Sequence, residues 1–205
     1  MFCNLAINKN FRKEKKYPLT KFEFFLLKEK FTKYNLKKIY PSRLIYSTYF
    51  DNEFLRCFHE SSEGLLPRKK YRIRSYPRQS ENEFYLEKKI SSVEGSYKES
   101  SKITVNQCNT FFNHGIIDKD YGKVYPVIDV FYERSYFLKD NIRITLDTKI
   151  NYKKFNKKSF KEDNQYIVEL KSDYFLKDDD FLKMIEITNK RFSKYCNGIE
   201  LLNLK

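Results

Sequence analysis

Several segments of this chain alternate apolar or aromatic residues with charged residues at every second position. Side chains on a β-strand point to opposite faces in turn, so the alternation predicts strands with one apolar face and one charged face. Six such faces carry charged or polar sets: Arg12/Glu14/Lys16, Arg72/Arg74, Glu87/Lys89, Tyr132/Arg134, Arg143/Thr145/Asp147 and Glu169/Lys171. The chain must therefore fold as a sheet whose two faces meet very different surroundings.

Strands account for most of the predicted structure and helices for the rest. Alternation and enrichment in Tyr, Phe, Ile and Val predict strands over Asn10–Tyr17, Arg43–Asp51, Arg68–Tyr76, Glu83–Ile90, Val127–Leu138, Asn141–Tyr152 and Gln165–Lys171. A turn around residues 137–141 predicts a hairpin. Capping boxes at Thr20/Glu23 and Thr104/Gln107 predict two helix starts, and an acidic run predicts a third helix over Asp179–Thr188. These elements favour an α+β fold, an antiparallel barrel with helices packed on the outside.

Length and composition narrow the class of protein. The 205 residues contain no repeat or linker, so we expect a single domain over residues 1–205. The four scattered cysteines and the lack of a long apolar run predict a cytoplasmic protein that does not insert into a membrane. Lys and Arg total 41 against 27 Asp and Glu, a net charge of +14 that attracts polyanions. A general enrichment in lysine would give the same excess. Only the placement of the charges can therefore distinguish a polyanion-binding site from a surface that is merely rich in lysine.

The charged strand faces admit two interpretations. Each could be an ordinary solvated outer face around an apolar barrel core. Alternatively, the barrel interior is charged and wet, and the apolar faces lie under helices. Long charged side chains are rarely buried unless they are paired or face a ligand, so inward arginines need an anionic guest. Guanidinium groups bind phosphate oxygens two at a time, so phosphate groups would suit such a guest.

The motifs that carry these charges resemble a known family. They are RKEKKY (12–17), STYFD (47–51), YRIRSY (71–76), LEKK (86–89), YERSY (132–136), RITLD (143–147), VELK (168–171) and SKY (193–195). In this order they resemble the VTC domain of vacuolar transporter chaperone proteins, the polyphosphate polymerase branch of the CYTH-like triphosphate tunnel metalloenzymes. The resemblance spans roughly residues 10–200 and implies a tunnel-shaped antiparallel barrel of eight strands.

The resemblance also implies an activity and a set of site residues. Polymerases of this family transfer the terminal phosphate of ATP to a growing polyphosphate chain and need Mn²⁺ or Mg²⁺. The bases that would bind phosphate are Lys16, Arg72, Arg74, Lys89, Lys102, Arg134 and Arg143. Glu169, helped by Glu14, would hold the metal, and Lys194 would act beside the reacting bond. ATP and polyphosphate are thus the expected partners.

Three alternatives stay open beside the polymerase. A tunnel triphosphatase or polyphosphatase would use the same residues, although its Glu-x-Glu-x-Lys strand is here Arg12-x-Glu14-x-Lys16. A non-catalytic polyphosphate sensor would need the bases without Glu169 and Lys194. Nucleic acid is disfavoured, because no helix-turn-helix, zinc finger or RNP-type motif is present. From the residues alone, Glu87 has two open roles: it could help Glu169 to hold the metal, or, as we expect, it could pair with Lys89.

Overall fold

The computed structural model describes residues 12–78, 80–139, 142–173 and 190–205. Their strands are β1 (Arg12–Leu19), β2 (Lys37–Asp51), β3 (Arg68–Tyr76), β4 (Ser80–Ser92), β5 (Gly95–Ile103), β6 (Ile116–Asp118), β7 (Gly122–Lys139), β8 (Ile142–Lys154), β9 (Lys161–Glu162) and β10 (Tyr166–Asp173). The helices are α1 (Lys21–Lys33), α2 (Arg56–Glu63), α3 (Val105–His114) and α4 (Lys194–Leu201). No helix within these ranges is long and apolar enough to cross a membrane.

Eight of the strands form one antiparallel path in the order β1-β10-β8-β7-β2-β3-β4-β5, with β6 and β9 paired beside it. The sheet is strongly curled. This is shown by the contact between Lys89 Nζ on β4 and Glu14 Oε2 on β1, which lie 3.3 Å apart although β1 is at the opposite end of the path. The curl creates a concave face that encloses a lumen and a convex face that looks outward. The predicted antiparallel eight-stranded tunnel fold is confirmed.

Two helices cover the convex face where strands present apolar side chains. At the start of α1, Thr20 N donates to Glu23 Oε2 at 2.7 Å and Glu23 N donates to Thr20 Oγ1 at 3.3 Å, which is the predicted capping box. The helix buries Phe24, Leu27 and Phe31 on an apolar layer formed by β1, β8 and β10. The second predicted box, at Thr104, starts α3.

The fourth helix lies on the concave face, which differs from the expectation that all helices pack outside. Tyr195 of α4 stacks on Tyr49 of β2 with ring centroids 5.2 Å apart, and its hydroxyl donates to Asp51 Oδ2 at 2.5 Å. The helix approaches the sheet closely at Gly198, where a Cβ would lie 2.6 Å from Ile128 Cδ1. The small glycine therefore allows α4 to close over one end of the lumen.

The predicted strands are found, but several are longer and some elements were missed. β2, β4 and β7 extend well beyond the predicted ranges, and the predicted hairpin joins β7 to β8 with Lys139 opposite Ile142. Sequence reasoning missed β5, because GSYKESSKI lacks apolar alternation and forms a strand by pairing with β4. It also missed α2 and α4. The predicted helix at Asp179–Thr188 lies outside the described residues.

Asp51 joins three elements and gives a test of this packing. Its buried carboxylate accepts hydrogen bonds from the backbone of Cys57 and Phe58 at the start of α2 and from Tyr195 of α4. We expect Asp51→Ala to lower the free energy of unfolding by about 2–4 kcal/mol, because three buried donors lose their acceptor. Urea unfolding measures this, with Asp120→Ala, which removes a half-exposed carboxylate, as the control. Equal midpoints for the two variants would contradict the assigned role.

Candidate functional site

Charged side chains from most of the sheet converge on the concave face. Strand alternation places there Glu14, Lys16, Lys70, Arg72, Arg74, Glu87, Lys89, Arg134, Arg143, Asp147, Glu169 and Lys171, and α4 adds Lys194. Their apolar neighbours in sequence turn to the convex face under α1 and α3. Of the two interpretations, the structure therefore supports the one that places the charges inside the barrel. Three groups of contacts organise these charges.

The first group centres on Glu87, whose side chain is 5% exposed. Its carboxylate lies 2.6 Å from Arg72 Nε, 3.7 Å from Arg74 Nη1 and 2.7 Å from Lys98 Nζ. Burial raises the pKa of Glu87, but the cations, Arg72 foremost, outweigh burial and lower the pKa to about 2. The predicted Glu87–Lys89 ion pair is wrong, because the pairing register sets Glu87 opposite Arg72. Glu87 orients arginines instead.

Hydroxyl groups complete the surroundings of the same arginines. Arg72 Nη1 donates to the Tyr49 hydroxyl at 2.9 Å, and Arg74 Nε donates to Ser47 Oγ at 3.3 Å. Burial raises the pKa of Tyr49, but Arg72 and Arg74 outweigh it and lower the pKa to about 8. The guanidinium planes are therefore fixed before any ligand arrives.

The second group centres on Asp147, which is fully buried. Arg134 binds it in bidentate fashion, with Nε at 2.5 Å and Nη2 at 2.7 Å, and Lys194 Nζ lies 2.5 Å from the same carboxylate. Arg134 Nη2 also reaches Glu169 Oε2 at 3.5 Å. Lys194 additionally lies over the Tyr132 ring, 4.6 Å from its centroid. Asp147 therefore pairs with Arg134, and it also draws Lys194 of α4 to Arg134 and Glu169.

The third group joins β1 and β10 at one end of the sheet path to β4 near the other end, through two carboxylates. Glu14 lies 3.1 Å from Lys16 Nζ and 3.3 Å from Lys89 Nζ. Lys171 Nζ stands between the carboxylates, 2.6 Å from Glu169 and 3.9 Å from Glu14. Burial raises the pKa of Glu169, but Arg134 and the lysines outweigh burial and hold it well below its usual range. Both carboxylates are thus charged at neutral pH.

These carboxylates fit a hard divalent cation. Glu14 and Glu169 share one ammonium neighbour, and buried Thr145 Oγ1, whose residue is opposite Glu169 in the ladder, has no hydrogen-bond partner. Mg²⁺ is commonly held by one or two carboxylates together with substrate phosphates. In the parts of the chain that the structure describes, no three acidic, His or Cys residues form a metal cluster. Phosphate oxygens would therefore supply the remaining ligands.

The predicted set of phosphate-binding bases omitted three lysines of the concave face, Lys70, Lys98 and Lys171. Lys70 Nζ donates to Ser193 Oγ at 2.9 Å, next to Lys194. Burial, with smaller contributions from Lys16 and Lys89, lowers the pKa of Lys70 to about 8. The signal was present, because Lys70 stands two residues before Arg72 and must share its face.

Two sequence-predicted bases lie at the margin of this group. Lys102 is on the edge strand β5, 60% exposed, with Nζ 2.5 Å from Glu83 Oε1. Arg143 is exposed on β8, opposite Lys171. The other predicted residues, Lys16, Arg72, Arg74, Lys89, Arg134, Glu14, Glu169 and Lys194, come together in the three groups. The side chain of Arg12 lies outside the described part of the chain.

The fold and the site place the chain in a class of tunnel proteins, in which a curled antiparallel sheet carries basic side chains and carboxylates in its lumen. The model of the VTC domain matches residues 11–203, so the chain belongs to the VTC domain family and the resemblance is confirmed. A search of curated proteins found no match.

Solved structures share the fold at low sequence identity. A "putative adenylate cyclase" from Bacillus halodurans superposes with a TM-score of 0.61 at 12% identity, covering 94% of this chain and 97% of that one. A "putative adenylyl cyclase" from Hippeastrum, described as having a dominant triphosphatase activity, has a TM-score of 0.56 at 14% identity, covering 91% and 94%. At such identities the likeness shows a shared fold alone.

The low pKa of Glu87 makes its contribution to stability depend on pH. A carboxyl whose pKa is lower in the folded state stabilises the fold above its unfolded pKa, and that contribution is lost as pH falls towards the folded pKa. We expect Glu87→Gln to destabilise by roughly 3 kcal/mol at pH 7, with the difference from the parent shrinking between about pH 5 and pH 2. Urea unfolding at several pH values measures it. Glu83→Gln on the same strand should have a smaller effect, and a pH-independent Glu87→Gln difference would contradict the pairing.

Proposed function

We propose that the chain is a metal-dependent polyphosphate polymerase that transfers the terminal phosphoryl group of ATP to a polyphosphate chain in the lumen. One observation carries the proposal. Bases from β1, β4, β7 and β10 lie beside two charged carboxylates, Glu14 and Glu169, and further bases from β3 and α4 share the concave face of this VTC domain. A phosphate chain matches the bases, and a divalent ion matches the carboxylates.

The extent of the basic surface supports a chain of phosphates over a single phosphate. Lys70, Arg72 and Arg74 occupy alternate positions on β3, and four residues of a strand span roughly 13 Å. A single phosphate cannot contact both ends of such a row. Further bases on other strands line the same concave face. Consecutive phosphates of one chain would therefore each meet cations from different strands.

In the proposed reaction, phosphate positioning and charge stabilisation do most of the work. The bond between the γ-phosphorus and the β–γ bridging oxygen breaks, a terminal polyphosphate oxygen forms the new bond, and ADP leaves with the electron pair. Arg72 and Arg74 would hold the polyphosphate in line. Arg134 and Lys194 would stabilise the charge that builds on the transferred group and the leaving oxygen. Glu169 and Glu14 would hold a Mn²⁺ or Mg²⁺ ion, whose chemistry is to neutralise charge on phosphate oxygens.

The second candidate is a tunnel triphosphatase, in which water replaces polyphosphate as the acceptor. The described activity of the Hippeastrum protein favours considering it, because that protein shares the fold. ADP with lengthening polyphosphate supports the polymerase, whereas ADP with orthophosphate supports the hydrolase. A non-catalytic sensor would bind polyphosphate and release neither product.

Glu169 is the residue that separates turnover from binding. With ATP, Mn²⁺ and a short polyphosphate primer, we expect Glu169→Gln to reduce polyphosphate synthesis at least about a hundredfold, because the metal loses its main carboxylate. Tripolyphosphate binding without metal, measured by calorimetry, should stay within a few-fold, since the bases remain. The matched control is Glu133→Gln, at an acidic residue on the convex face that pairs with Lys149. Parent-like synthesis by Glu169→Gln would contradict the assignment.

Lys194 gives a second test, aimed at the transferred group. We expect Lys194→Met to lower kcat roughly a hundredfold with a much smaller change in KM, because a cation that stabilises developing charge is lost. Lys194→Arg should recover part of the rate. A variant that raises KM alone would show Lys194 to be a ground-state binding residue only.

A further inference from the structure

The convex face carries a cavity of about 570 Å³ that is separate from the lumen. Thr48 and Ile73 contribute to its floor, whereas their sequence neighbours Ser47 and Arg72 point to the concave face. The sheet itself therefore divides the two spaces. The cavity lies between α3 and the segment that follows β8, and its volume is within the range of small-molecule sites.

Aromatic side chains form much of the cavity wall. Phe112 of α3 and Phe155 after β8 stand together with ring centroids 5.4 Å apart, and Phe84 of β4 and Tyr46 of β2 line the cavity as well. Aromatic walls bind planar rings through stacked or edge contacts and apolar burial. The wall thus favours a ligand with a flat ring over a fully hydrated ion.

The polar floor is held in place by Asp129, which is 2% exposed. Thr48 Oγ1 donates to Asp129 Oδ1 at 2.6 Å, and Lys153 Nζ lies 3.4 Å from Oδ2. Lys153 also lies over the Tyr46 ring, 5.8 Å from its centroid. The buried carboxylate fixes the Thr48 hydroxyl and the Lys153 ammonium, so the floor is ordered without a ligand.

The rim of the cavity is cationic. Lys157 and Lys158 line it in the exposed turn after β8, and among the described residues neither forms an ion pair with a carboxylate. Together with Lys153, three lysines line the cavity, against a single carboxylate, that of Asp129. The cavity therefore combines an aromatic wall with an excess of positive charge at its mouth.

We propose that this cavity is a second binding site, which takes an aromatic phosphate of the size of a nucleoside monophosphate. The ring lies against Phe112 and Phe84, and the phosphate is bound by Lys157 and Lys158. An inorganic anion would leave the aromatic wall without a partner, and an uncharged ring would leave the lysines unused. The site is independent of the reaction proposed for the lumen.

Binding of AMP to the whole chain tests the site. Calorimetry is carried out with saturating tripolyphosphate and no metal, so that tripolyphosphate occupies the lumen and AMP does not bind there. We expect AMP to bind under these conditions, and adenosine and ribose 5-phosphate to bind at least about tenfold more weakly, because each lacks one half of the recognised group. The double variant Lys157→Ser/Lys158→Ser should weaken AMP binding about tenfold.

The matched control is Lys37→Ser/Lys38→Ser, which removes two adjacent exposed lysines at the start of β2 without touching the cavity. It should bind AMP as the parent chain does. Three results would overturn the proposal: no AMP binding at millimolar concentration, binding of AMP no tighter than that of adenosine and ribose 5-phosphate, or equal affinities of the two double variants. None of them bears on polyphosphate synthesis, so this proposal and that of the polymerase stand or fall separately.

Discussion

The neutralisation of lumenal arginines by buried carboxylates is the interaction on which the lumen depends. Arg72, Arg74 and Arg134 lie on an enclosed face where unpaired charge is costly, and Glu87 and Asp147 supply the opposite charge. These pairs occupy only part of each guanidinium group, so donors remain for phosphate oxygens. The acidic residues of the charged strand faces are thus divided in role: Glu87 and Asp147 orient cations, whereas Glu14 and Glu169 are suited to a metal.

The same requirement explains the inverted distribution of apolar residues. Because the concave face holds the charges, the hydrophobic effect has to be satisfied on the convex face, and α1 and α3 cover it there. α4 is the exception, since it enters the concave side with Tyr195 and brings Lys194 to Asp147. One short helix therefore closes an end of the lumen and adds a cation, Lys194, to its charged side chains.

Alternation in the sequence was enough to predict seven of the ten strands, the antiparallel class and the charged face, because strand periodicity is local. Partnerships across strands were not predictable in the same way. Glu87 was assigned to Lys89 on its own strand, yet register sets it beside Arg72 of β3. The polar strand β5 forms because β4 offers it an edge, a tertiary cause that leaves no apolar pattern. The burial of Lys194 depends on how α4 docks, and no spacing in the sequence contains that information.

The central claim is that a phosphate chain occupies the concave face. A crystal structure with tripolyphosphate and Mn²⁺ tests it most directly. The account predicts phosphate density in the lumen in contact with Arg72, Arg74 and Arg134, with the metal against Glu169 and the terminal phosphate near Lys194. Tripolyphosphate bound only to lysines on the convex face, with the lumenal ion pairs unchanged, would contradict it.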